Sequence, residues 1–175
     1  MKLVKLLALS VFVLAVAGCA SGVRRDDSSA LSSAKLTNPK VASLKLYLND
    51  NAQKLLADNI KFNPDTMRGT IQRTLEARNM IASDSPQRIE VEVTDVRVRS
   101  SFSAVMFGFM AGSDSVKGNV YVIGSDGKQV TKFEVSASYA LGGLGGGQDD
   151  ARMNWLYEEF AKLTVNELTG ENQKR

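Results

Sequence analysis

The sequence predicts an α+β domain: a small, three- to four-stranded, mostly antiparallel sheet with two amphipathic helices on one face. Three observations carry that expectation. Apolar and polar residues alternate across Arg88–Arg99. Two further β-rich runs are separated by Gly124-Ser125-Asp126-Gly127, and an Asp-Gly pair in that position is a strong hairpin signal. Two other stretches, following Asn63-Pro64 and preceding Gly170, repeat apolar residues at helical spacing.

The elements follow in order. Val41 to Leu48 reads as a strand, with Leu44, Leu46 and Leu48 alternating against Lys45 and Tyr47. Asn49 to Lys61 is ambiguous, because Leu55-Leu56 suits either a short helix or a packed loop. Asn63 is placed to cap a helix and Pro64 to occupy its first position, where a missing N–H costs nothing. Met67, Ile71 and Leu75 then form one apolar stripe through about Arg78, and Ser83-Asp84-Ser85-Pro86 makes a turn. In the strand that follows, Ile89, Val91 and Val93 share a face, but the alternation changes phase after Asp95. A β-bulge or a strong local twist there restores the register for Val96 and Val98. Val116–Ile123 and Gln129–Leu141 form the hairpin. Residues 149–168 form a helix with Met153, Leu156, Phe160 and Leu163 on its stripe and Leu168 near its end, ended by Gly170. A single domain over residues 41–170, followed by a frayed tail at 171–175, accounts for these elements.

The amino terminus reads as an export signal. Lys2 and Lys5 precede an apolar run from Leu6 to Val16 that only Ser10 interrupts, and this run is short for a membrane span. Val16-Ala17-Gly18-Cys19 resembles the lipobox of bacterial lipoproteins, which implies cleavage after residue 18 and acylation of Cys19. Two or three acyl chains give lasting membrane attachment, whereas one is marginal. Ala20, where such lipoproteins carry Asp for inner-membrane retention, implies sorting to the periplasmic face of the outer membrane. Residues 19–40 are rich in Ser, Ala and charge, and are expected to be a flexible tether.

Composition narrows the chemistry. The 175-residue chain has no His, which removes the commonest general base near neutral pH and the commonest metal ligand. Its single Cys excludes an intramolecular disulfide and a CxxC redox site. Without Lys2 and Lys5 the balance is 20 basic to 19 acidic residues, so the footprint of a nucleic-acid binder is absent. Gly142–Gly147 lacks the Lys-Ser or Lys-Thr of a phosphate loop, and Asp149-Asp150 beside it repel phosphate. There is no GxSxG elbow or calcium loop. No catalytic residue, cofactor or metal is therefore expected, and the chain reads as a non-enzyme.

The unusual stretch is Ser100–Ser115. Phe102, Met106, Phe107, Phe109 and Met110 crowd it, and Met and Phe suit adaptable binding surfaces. These five residues, with Arg97 and Arg99 projecting together from the preceding strand, are the expected contact set for an envelope protein partner or a membrane interface. The alternative is that the aromatics close one end of the core.

Gly124–Gly127, the glycine run 142–147 and the helix bearing Asn154, Leu156, Tyr157, Phe160 and Ala161 resemble a family of uncharacterised bacterial envelope lipoproteins, across about residues 89–168. The element order is more distantly similar to the amino-terminal module of the Tol translocation system. These resemblances imply an accessory or assembly role through protein contacts and supply no catalytic residues. A lipid- or cell-wall-ligand-binding subunit of an envelope transport system is the alternative reading.

Overall fold

The computed structural model describes residues 21–25, 40–58, 61–100, 112–140 and 148–171. Its strands are β1 (Gly22–Arg24), β2 (Leu44–Leu48), β3 (Arg88–Arg97), β4 (Asp114–Ile123) and β5 (Gln129–Tyr139). Its helices are α1 (Asp50–Asp58), α2 (Pro64–Ala77) and α3 (Asp149–Thr169). The class is α+β, as the sequence predicts, but the sheet has five strands in the order β1-β5-β4-β3-β2. It is mixed: β2 and β3 run parallel, and the other pairs run antiparallel. Parallel neighbours need a crossover, and α1 and α2 supply it. The described residues therefore form three helices, where the sequence carries clear signals for two.

The local signals translate directly. Asn63 Oδ1 accepts from Thr66 N–H at 2.9 Å, Pro64 opens α2, and Met67, Ile71 and Leu75 are buried. The β3 register shifts between Val93 and Asp95, which returns Val96 to the core opposite Val116. Gly127, at φ 76°, turns the β4–β5 hairpin, and Gly170, also at φ 76°, ends α3.

The core lies on one side of the sheet. Ile89, Val91 and Val93 of β3 join Val120 and Val122 of β4, Phe133 and Val135 of β5, and the buried faces of α2 and α3 in one cluster. Ala52 of α1 joins the same cluster. At Gly118 in mid-β4 a side chain would have no room, since a Cβ there would lie 2.8 Å from the Glu92 carbonyl oxygen and 3.2 Å from Phe160 Cζ. That notch lets the Phe160 ring of α3 settle onto the strand.

One boundary moves. Gly22–Arg24, inside the stretch expected to be tether, form edge strand β1 against Glu134–Ser136. So short a strand cannot show an alternation, and its partners lie far along the chain, so no local pattern announces it. Cys19 and the leader lie outside the described residues, as do most of the remaining tether and the last four residues.

Candidate functional site

Among the described residues the three helices cover one face of the sheet and leave the other uncovered. Because side chains alternate, that second face collects the polar residues of every strand. Arg24, Glu134, Asn119, Glu92 and Tyr47 stand in one cross-strand row, one from each strand. Lys132, Tyr121, Glu90 and Lys45 form the next row.

Glu92 is the hub of this face. Tyr121 Oη donates to Glu92 Oε2 at 2.8 Å, and Asn119 Nδ2 donates to the same oxygen at 3.0 Å. The Lys132 ammonium sits 5.4 Å from the centre of the Tyr121 ring, and Lys45 sits 5.4 Å from that of Tyr47. Arg88 Nε donates to Glu90 Oε1 at 3.0 Å. Cross-strand contacts of this kind fix side chains that would otherwise be free, so the face is ordered before anything binds to it.

Burial, followed by the hydrogen bond and the charge of Glu92, pushes the Tyr121 phenol far above its ordinary value. Burial and the charges of Glu92 and Glu90 raise Tyr47 as well. Both phenols stay protonated across the physiological range, so Tyr121 acts as a hydrogen-bond donor and not as a phenolate nucleophile. The linkage has a definite sign. The unfolded phenol loses its proton at about pH 10, whereas the folded one keeps it, so its contribution is complete below that pH and is lost as pH rises beyond it. Tyr121→Phe should cost about 1 kcal/mol at neutral pH through the lost hydrogen bond. It should also flatten the alkaline fall in stability, as urea midpoints at neutral and alkaline pH will show. An unchanged alkaline slope would mean that Tyr121 does not carry the effect.

The second feature is a buried charge cluster at one end of the sheet. Asp114, at 0% exposure, accepts from the Arg99 backbone N–H at 2.7 Å, from Arg99 Nη2 at 3.0 Å and from Arg152 Nη1 at 3.1 Å. Arg99 also donates to the carbonyls of Gly112 at 2.8 Å and Tyr139 at 3.2 Å. Arg152 reaches the Arg99 carbonyl at 3.3 Å and pairs with Asp149, which in turn pairs with Lys61. The cluster thus ties together the end of β3, the starts of β4 and α3, and the last residue of β5.

This geometry corrects one expectation. Arg97 is exposed, but Arg99 is buried and engaged, so the two do not project together. Regular alternation ends with β3 at Arg97, and the chain beyond it turns the Arg99 guanidinium inward onto Asp114. Phe102, Met106, Phe107, Phe109 and Met110 lie outside the described residues, as do Gly142–Gly147. In the sequence Asp114 stands out only as a carboxylate that fits no calcium loop, and the one signal for Arg152 is that it precedes Leu156 and Phe160 at intervals of four, which places a charge on the apolar stripe of α3. Among the described residues no group of three or more His, Cys, Asp or Glu could hold a metal ion, and no helix is long and apolar enough to cross a membrane.

A family model described as a domain of unknown function (DUF4410) matches residues 22–143. No curated protein matches the chain. Among solved structures, the chain is similar to a PelC dodecamer from Paraburkholderia phytofirmans at 14% identity and a TM-score of 0.48, covering 83% of this chain and 96% of that one. It is also similar to a point variant of that PelC dodecamer at 16% identity and a TM-score of 0.47, covering 86% and 98%.

Proposed function

The chain belongs to the DUF4410 family, a domain of unknown function, and from that premise we propose that it is a lipid-anchored accessory factor of the bacterial cell envelope that binds a protein partner without catalysing a reaction. One observation carries the binding half of this reading: the described residues cover the sheet on a single face, and the other presents an ordered array centred on Glu92, Asn119 and Tyr121. A mixed-charge sheet face of this kind suits contact with a protein surface of complementary charge better than enclosure of a small substrate. The anchoring half rests on Val16-Ala17-Gly18-Cys19, and the outer-membrane address on Ala20.

The test is crosslinking in native envelopes, comparing the full lipidated protein with a Cys19→Ala variant and identifying adducts by mass spectrometry. One dominant protein adduct, lost in the variant, is the expected result. Adducts with bulk envelope proteins alone would contradict the proposal and favour the ligand-binding alternative.

A further inference from the structure

The place where the chain enters the sheet has a consequence for how the domain meets the membrane. Ser21 Oγ accepts from the Ser138 N–H at 2.9 Å and donates to the Ser138 carbonyl at 3.3 Å. Gly22–Arg24 continue along β5, and Arg25 then pairs with the buried Glu167 of α3. Only Ala20 stands between Cys19 and this docked segment. Two residue steps of extended chain reach at most about 7 Å. Residues 26–39 follow β1 in sequence, so they add nothing to the distance between Cys19 and the sheet.

The same end of β5 carries an aromatic pair. Tyr139, next to Ser138, meets Trp155 of α3 with ring centroids 5.1 Å apart and planes inclined at 58°. Trp155 is 37% exposed, the one large hydrophobic residue left exposed among the described residues. Trp and Tyr, apolar over most of the ring and polar at one edge, favour the headgroup depth of a bilayer. Arg97 and Asp150, opposite in charge, are both exposed near this end. The contact therefore draws on the rings more than on attraction to anionic lipid.

We propose that the end of the domain formed by Ser21, Ser138, Tyr139 and Trp155 sits directly on the lipid surface, with Trp155 in the interfacial region. The domain is seated on the bilayer and is not suspended from a long tether. This inference rests on the reading of Cys19 as acylated.

Trp155 is the only Trp of the chain, so its fluorescence reports on this end alone. The full lipidated protein is reconstituted in phosphatidylethanolamine–phosphatidylglycerol vesicles, and its acyl mass is confirmed by intact-protein mass spectrometry. Brominated phospholipid should then quench Trp155 about twofold or more, as expected for a ring at headgroup depth. Iodide should quench it severalfold less than in the Cys19→Ala protein in solution, and high salt should change neither result. An acylated protein whose Trp155 ignores brominated lipid and remains as open to iodide as in Cys19→Ala overturns the seating and leaves the anchor intact. A protein without acyl mass overturns the anchor, and the seating with it.

Discussion

Asp114→Asn should be the most damaging single polar substitution in the domain, lowering stability by about 3–5 kcal/mol, the usual cost of stripping one partner from a buried ion pair. The side chain is isosteric, so packing is nearly preserved and the loss isolates the charge. Asp114 is fully buried and Arg152 is 1% exposed, so neither water nor salt can take over the role of the carboxylate. After the substitution, Arg99 and Arg152 would face each other across a neutral amide, while Asp149, which pairs with Arg152, is shared with Lys61. Urea denaturation monitored by circular dichroism gives the value. A loss below about 1 kcal/mol would show that the guanidinium groups reach solvent and that the cluster is not the rigid tie the geometry implies.

Phe160→Ala should cost a similar amount, about 3–5 kcal/mol, by removing a fully buried ring and leaving a cavity between α3 and the sheet. Its coupling to Gly118 makes the prediction sharper. Gly118→Ala alone should destabilise by about 1–3 kcal/mol through overpacking. The new methyl would press on two neighbours, the Phe160 ring and the Glu92 carbonyl oxygen. In the Phe160→Ala background the ring contact is gone and only the backbone contact remains, so the two losses should sum to more than the double variant shows. Strict additivity, measured by the same urea series, would mean that the ring does not occupy the Gly118 notch.

Much of this architecture was legible because it obeys local rules. The Asn63-Pro64 start of α2, the Gly124–Gly127 hairpin, the phase change at Asp95 and the Gly170 stop each depend on a few neighbouring residues, and each appears in the structure. The parts that were not legible depend on contacts distant in sequence. The parallel pairing of β2 with β3 is decided by the α1–α2 crossover, and α1, at nine residues, is so short that its Leu55-Leu56 pair suits a packed loop as well as a helix. The β1 strand exists only through β5, as the 117-residue separation of Ser21 and Ser138 illustrates. Arg99 followed the alternation of β3 in sequence, yet it sits beyond the end of that strand, where alternation no longer governs direction. The polar side of β3 is legible from its alternation, since Glu90 and Glu92 fall between Ile89, Val91 and Val93. Their meeting with Asn119 and Tyr121 required the register of the sheet.

The proposed contact surface for a protein partner is the sheet face that the described helices leave uncovered. The most direct measurement places a photo-crosslinking amino acid at Lys117, exposed on that face in mid-β4, and in a second protein at Arg68, exposed on α2 behind the core. After irradiation of intact cells, position 117 should yield one dominant protein adduct that position 68 does not. Identical adducts from both positions, or none from 117, would contradict the assignment of that face to a partner.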